Sequence, residues 1–284
     1  MKQALPTIND RSPSLIDGVA GVTPIFRWAG SKKRLLKELR LASPSVYRRY
    51  HEPFLGSGVF FLQQNKGHAV LSDYNPHLIQ AYEQVRKNPL KLWERCVSIP
   101  EDTDTYYEVR AVNPLELDDL ERAARFIYLN RYCFNGVYRT NLQGGFNVSR
   151  GQGNLGIPTW KVFKAFSDRL QDSQLLCQDF EVTMSSAIRN DFIYLDPPYI
   201  DLSKRDRGEY GTGSFGYSDL ERLADASHRA AKLGVKVLIS YRDCETIKAL
   251  FPDWRLFPLE VSRSVSCNTS KRSKAKEIFL TSYI

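Results

Sequence analysis

A short apolar run, Phe192 to Leu195, ends in Asp196-Pro197-Pro198-Tyr199. Consecutive prolines fix two φ angles and remove two backbone donors, so neither a helix nor a central strand can run through them. The chain must turn there, rigidly, at the C-terminal end of a buried strand. In an open α/β sheet that edge is where ligands bind. The turn presents one carboxylate, unpaired carbonyls and one aromatic face. Those parts suit a planar ring with an exocyclic amine. The Asp196 carboxylate and the Pro197 carbonyl accept its two hydrogens, Pro198 stiffens the corner, and Tyr199 stacks on the ring. A Pro-Pro turn with a capping Asp and a packed Tyr is the plainer alternative.

A second motif favours the first reading. Residues 52–58 read Glu-Pro-Phe-Leu-Gly-Ser-Gly, between the strand candidate Tyr47 to His51 and the apolar run Val59 to Leu62. Gly56 and Gly58, at a strand-to-helix turn, let backbone approach a ligand closely. Next comes Ala69 to Asp73, an apolar run ending in an acid, and an acid there can accept from a ribose hydroxyl. The pattern is neither GxGxxG nor a Walker lysine motif, so phosphate cradling is not expected. A nucleoside cofactor without a phosphate, beside a site for an amine, points to S-adenosyl-L-methionine and an amino-methyltransferase.

Several further motifs occur in one order. They are Phe26-Arg27-Trp28-Ala29-Gly30-Ser31-Lys32, the 52–58 loop, Asp73-Tyr74-Asn75, Tyr128-Leu129-Asn130-Arg131-Tyr132 with Phe134-Asn135-Gly136, Gly145-Phe146-Asn147-Val148, Asp179-Phe180, the Asp-Pro-Pro-Tyr turn, and Arg263-Ser264-Val265-Ser266. From about Pro24 onward the chain resembles the Dam-type (alpha group) DNA adenine-N6 methyltransferases. The resemblance implies methyl transfer from S-adenosyl-L-methionine to the N6 amine of an adenine flipped out of double-stranded DNA. It also implies that Asp179 accepts from the cofactor's adenine amine, with Phe180 packing on that ring. Lys32 would lie near the methionine carboxylate or organise the active site. From the chemistry of a flat adenosine and a cationic sulfonium, Trp28 and Phe54 are candidate covers for the cofactor. Asp73 is the ribose acceptor, and Glu52 belongs to the same loop. An RNA adenine or protein side-chain amino-methyltransferase, or a non-catalytic DNA-binding module, would share part of this pattern.

The 284-residue chain has a formal net charge of +8 and a pI near 9.2, which favours a polyanionic partner. From Arg122 to Arg169 there are eight basic residues and one acid, whereas Glu101 to Glu121 holds eight acids and one base. Such sorting suggests one face for phosphates and another kept from them. The five cysteines are scattered, with no CxxC, and no zinc ligand set stands out among them and the four histidines. That usage, with no signal peptide, fits a reducing cytoplasm, and no apolar run reaches membrane-spanning length.

The organisation predicted is an α/β fold. It has a Rossmann-like methyltransferase sheet, mostly parallel with an antiparallel final strand, and a helical target-recognition insertion with a β-hairpin. Residues 1–23 read as a tail. Residues 24–75 and 160–284 form a discontinuous catalytic domain, and 76–159 the target-recognition domain. Strands are expected at 47–52, 69–73, 174–177, 192–195, 235–240, 254–260 and 277–283. Helices are expected over 33–41, 219–233 and 244–251, and within the insertion around 77–86, 88–97, 104–112 and 117–131.

The stretch 132–148, rich in Gly, Asn and aromatics, reads as the hairpin. Asn135, Tyr138, Arg139 and Asn141 carry polar groups able to read base edges, and Arg139 matches an arginine that GATC-specific relatives use. The family's F-N-V-P-F-G-x-Y-K continuation is here Phe146-Asn147-Val148-Ser149-Arg150-Gly151-Gln152-Gly153, which leaves GATC, a relaxed site or another site open. The loop 200–217, with Lys204, Arg205 and Arg207, is expected to order over the base or backbone. The loop 261–276, with Arg263, Lys271, Arg272, Lys274 and Lys276, reads as a phosphate clamp.

Overall fold

The computed structural model describes residues 22–64, 67–141, 144–152, 156–200, 215–261 and 275–283. The basic loops carrying Lys204, Arg205 and Arg207, and Arg263, Lys271, Arg272 and Lys274, lie outside the described residues, as do positions 1–21 of the leader.

Among the described residues seven strands form one sheet: β1 (Tyr50–Glu52), β2 (Ala69–Asp73), β3 (Ser173–Cys177), β4 (Phe192–Leu195), β5 (Lys236–Arg242), β6 (Arg255–Val261) and β7 (Ala275–Thr281). The spatial order is β3-β2-β1-β4-β5-β7-β6. β1 to β5 are mutually parallel, and β7 runs antiparallel between β5 and β6. β1 and β4 are buried along their whole length, as strands covered by helices on both faces must be. Chain order reverses across the β1–β4 pair. The crevice above those two strands is the topological switch point, where such sheets bind ligands.

β1 is shorter than the expected 47–52. Arg48 and Arg49 instead reach down to Asp191, at 2.9 and 3.2 Å, and His51 approaches the same carboxylate at 2.9 Å. This knot, centred on the buried Asp191 and His51, ties the N-terminal ends of β1 and β4 together, at the edge away from the crevice.

The helices are α1 (Leu36–Ala42), α2 (Pro76–Lys87), α3 (Pro89–Ser98), α4 (Thr103–Ala111), α5 (Asp119–Tyr132), α6 (Trp160–Leu170), α7 (Phe180–Ser185), α8 (Tyr217–Lys232) and α9 (Glu245–Leu250). Proline starts α2 and α3, where its missing donor costs nothing, and Asn75, Asp102 and Asp118 cap α2, α4 and α5. α6 and α7 were not anticipated. α2, α3, α5 and α6 share a core with one face of the sheet, through Leu78, Tyr82, Leu92, Phe126, Phe166 and Phe192. α7, α8 and α9 pack on the other face through Met184, Leu223 and Ile247. A small third core holds Ile99, Tyr106, Tyr128, Tyr132 and Val148.

The stretch 132–148 does reverse direction, but as a loop pinned by isolated bonds rather than a regular strand pair. Thr140 bridges Phe146, the Asn141 and Asn147 amides donate to the Gly145 and Arg139 carbonyls, and Phe134 to Gly136 form a single 3-10 turn.

The basic block 122–169 is not a bare phosphate-facing stripe. Arg122 donates to the carbonyls of Pro114 and Leu117, and Arg125 to those of Val109 and Arg110. Arg131 donates to those of Ile25 and Gly156, and Arg169 to those of Phe61 and Gln64. Guanidinium groups serve here as struts that satisfy loop carbonyls in a region short of regular ladders.

Candidate active site

The crevice above β1 and β4 opens into a cavity of about 360 Å³, within the size range of small-molecule sites. Its lining joins the motifs separated in sequence. Trp28 and Lys32 come from the N-terminal segment, Glu52, Phe54 and Gly56 from the β1 loop, and Asp73 from the end of β2. Asp179 and Phe180 come from the start of α7, and Asp196, Pro197, Pro198 and Tyr199 from the turn after β4. Gly58 stands just behind this wall.

The two glycines have specific work. Gly56 has φ +46° and Gly58 φ +63°, conformations that side chains strain to adopt. A Cβ on Gly56 would meet Trp28 Cδ1 at 2.7 Å, and one on Gly58 the Tyr82 hydroxyl at 2.9 Å. The Gly56 amide donates to Asp73 Oδ2 at 3.0 Å, which fastens the loop to the end of β2. Ser31, where the resemblance expects glycine, has φ −50° and needs no glycine.

The turn after β4 is braced from three sides. Lys32, only 5 % exposed, places its ammonium 2.7 Å from Asp196 Oδ1. The same ammonium lies over the Tyr199 ring, 4.9 Å from its centroid, and donates to the Gly30 carbonyl. Ser240 Oγ donates to Asp196 Oδ1 at 3.0 Å, and the Ile200 amide donates to the Tyr241 hydroxyl. Tyr199 also packs edge-on against Tyr241 and faces the Glu277 carboxylate; burial first, then the Asp196 charge, drives its phenol far above the ordinary range.

Glu52 is the unusual acid. Burial pushes its carboxyl up to about 8, a rise that the hydrogen bond from Tyr50 (2.7 Å) moderates and the nearby Asp196 charge adds to. It is therefore largely protonated near neutrality. Burial also raises Asp73, against the backbone amides of Gly56, Asn75 and Tyr74 that favour its ionised form.

At the far end, Phe54 stacks on Phe180 with centroids 5.4 Å apart, and Phe215 closes the pair edge-on to Phe54. Asp179 caps α7 through the Glu181 amide and accepts from Arg222 at 2.8 Å, both on Oδ1. Arg222 also covers the Phe180 ring. Phe215, Arg222, Tyr194, Asn75 and Gln178 line the cavity without having been singled out in the sequence. Of these only Asn75 carried a signal, as the residue closing Asp73-Tyr74-Asn75.

Of the residues expected to touch DNA, the four that are described, Asn135, Tyr138, Arg139 and Asn141, do not line this cavity. Asn135 is exposed at φ +54°. Arg139 is half-buried and donates to Asn147 Oδ1 at 2.8 Å, and Asn141 Oδ1 accepts from the Gly145 amide. The Tyr138 ring packs among Trp28, Phe126, His77 and Phe146.

Residues 28–265 match the family described as D12 class N6 adenine-specific DNA methyltransferase. The chain belongs to that family. This D12-class methyltransferase is 32 % identical over 270 residues to a type II methyltransferase of Lactococcus lactis subsp. cremoris, covering 92 % of this chain and 95 % of that one. It is 33 % identical over 262 residues to a DNA adenine methylase of Haemophilus influenzae, covering 90 % and 92 %. It is 30 % identical over 275 residues to a type II methyltransferase of Methanocaldococcus jannaschii, covering 88 % and 95 %. The sheet of the D12-class methyltransferase, mostly parallel with an antiparallel final strand, is as its sequence led one to expect. It is an enzyme of site-specific adenine methylation in DNA. Among the described residues no helix is long and apolar enough to cross a membrane.

Proposed function

We propose that the cavity takes S-adenosyl-L-methionine and that the Asp196 turn receives an adenine extruded from duplex DNA, in the cytoplasm. The observation that supports this most is the union, in one cavity, of an acid-tipped proline corner and a glycine loop without phosphate-binding features. The donor set fits the cofactor. Among the described residues four aspartates (Asp73, Asp179, Asp196, Asp219) and two bases line the cavity beside the raised Glu52, which suits a ligand carrying sulfonium and ammonium charges, and the Phe54–Phe180 pair offers flat apolar surface. Trp28, Phe54, Gly56, Asp73, Asp179 and Phe180 would hold it, with Gly58 shaping the loop and Glu52 beneath. When bound, it supplies an electrophilic methyl group.

Asp196 and the Pro197 carbonyl accept the two hydrogens of the adenine amine. That draws the nitrogen toward a pyramidal shape and concentrates its lone pair, which the ring otherwise delocalises. Pro198 and the bond from Ile200 to Tyr241 keep the corner from yielding. Lys32 holds the carboxylate in place and covers one side of Tyr199, whose other face is the stacking surface for the base. Positioning and fixed charge supply most of the acceleration. Extrusion costs a few kcal/mol, partly offset by that stacking. Residues 76–159 form the target-recognition segment, with Asn135, Tyr138, Arg139 and Asn141 contacting DNA. The basic residues Arg263, Lys271, Arg272 and Lys274 contact phosphates.

The test is to express the protein in cells free of adenine methylation and map N6-methyladenine in their DNA. A single recurrent sequence context is expected and would also fix the site, GATC or another. Methyl incorporation into RNA or protein with none in DNA would overturn the assignment.

A further inference from the structure

We propose that Ser240 is a positioning residue for Asp196. It is the inner link of a buried hydroxyl chain, Tyr194 to Ser240 to Asp196, that locks the carboxylate plane and turns its second oxygen to the substrate amine. This rests on the reading of Asp196 given above and deepens it.

The sheet register creates the contact. Tyr194 pairs with Leu238 and Leu195 with Ile239 on the parallel strands β4 and β5. One step further along, position 240 comes level with position 196. Side chains two apart share a face, so Tyr194, Asp196 and Ser240 stand together. Ser240 Oγ lies 3.0 Å from both Asp196 Oδ1 and the Tyr194 hydroxyl. Ser240 is fully buried and Tyr194 nearly so.

The proton positions follow from valence. Asp196 is paired with Lys32, so it is an ionised acceptor, and the single hydrogen of Ser240 must point to it. Tyr194 can then only donate to Ser240. Burial, and next the Asp196 charge, hold the Tyr194 phenol far above its ordinary value, so it keeps that proton.

An aspartate carboxylate rotates in a broad, shallow well. Lys32 cannot stop that rotation alone, because its ammonium sits on a flexible stem and would follow. Ser240 cannot follow, because a central strand fixes its backbone. Both donors meet on Oδ1, so the plane is set by Ser240 and Oδ2 is left for the incoming amine. Neither Ser240 nor Tyr194 need touch substrate or cofactor for this role.

The experiment measures kcat on duplex DNA for Ser240→Ala and Tyr194→Phe in the full chain, with S-adenosylhomocysteine affinity by calorimetry and melting temperature alongside. For Ser240→Ala, kcat falls roughly tenfold, as for loss of a hydrogen bond to a charged group, at unchanged S-adenosylhomocysteine affinity and DNA KM. Tyr194→Phe lowers kcat by less, since it removes only the outer donor. Wild-type kcat in Ser240→Ala would overturn the inference. So would a fall in S-adenosylhomocysteine affinity in step with kcat, which would make Ser240 a mere support of the cavity. A wild-type protein that methylates no DNA would instead sink the reading of Asp196 itself, and this inference with it.

Discussion

Trp28 and Tyr138 stack with centroids 6.1 Å apart and planes within 16° of parallel, although one lines the cavity and the other belongs to the 132–148 loop. Asn130 reinforces the join: its amide group accepts from the Arg27 amide at 2.7 Å and donates to the Arg27 carbonyl at 2.6 Å. Trp28 is thus held from the insertion side and rests on Gly56 below. An aromatic pair of this kind contributes about 0.5–1.5 kcal/mol beyond its buried area. Tyr138→Ala should therefore weaken S-adenosylhomocysteine binding several-fold although Tyr138 lies outside the cavity. Calorimetry decides it, and unchanged affinity would show that the stack does not reach the site.

Gly56→Ala should be worse than its size implies. The added methyl group would press on Trp28, and the positive φ adds about 1–2 kcal/mol of strain. At least a tenfold loss of S-adenosylhomocysteine affinity is expected, with melting temperature as the control for general unfolding.

Asp196→Ala should abolish methylation while duplex binding persists. It also leaves the buried Lys32 ammonium without its partner, a penalty of about 3 kcal/mol. The melting temperature should fall accordingly and recover in Lys32→Met/Asp196→Ala. Persistent methyl transfer in the single variant, measured with labelled donor, would remove Asp196 from the chemistry.

Glu52 makes stability depend on pH in a particular direction. Its carboxyl rises from an ordinary 4.5 to about 8 in the fold, so the native state keeps a proton that the unfolded chain releases. Its contribution is fully present below pH 4.5 and drains away as pH climbs to about 8. Glu52→Gln should gain on the wild type progressively across that window. Melting curves at several pH values test it, and parallel profiles would refute the shift.

Arg139→Ala should relax sequence preference more than it weakens binding, since a bidentate contact to guanine discriminates by about 1–3 kcal/mol. Competition between cognate and scrambled duplexes measures it. A uniform loss on both would make Arg139 a phosphate contact.

What could be read from the sequence was whatever a local pattern controls. β2 and β4 are apolar runs on covered strands and match their expected bounds. The glycine loop and the proline corner reach the same cavity because the order of parallel strands puts their ends side by side. α7 was hidden because it is a six-residue helix whose start, Asp179, already read as a ligand contact. Phe215 enters the cavity from the loop 200–217, of which only the basic residues were singled out, and Arg222 from a helix read only from its periodicity. Charge blocks misled for a different reason: a linear count cannot distinguish an arginine facing solvent from Arg131 or Arg169, which are buried against carbonyls.

The cavity is walled by stretches scattered from Trp28 to Arg222, with no two neighbouring motifs sufficient to enclose it. A nascent chain still short of Arg222 therefore lacks part of the wall of that receptacle, however well its first strands have paired. Occupancy of the pocket would report that synthesis and folding had passed that residue, and ligand would hold together segments that translation delivers far apart in time.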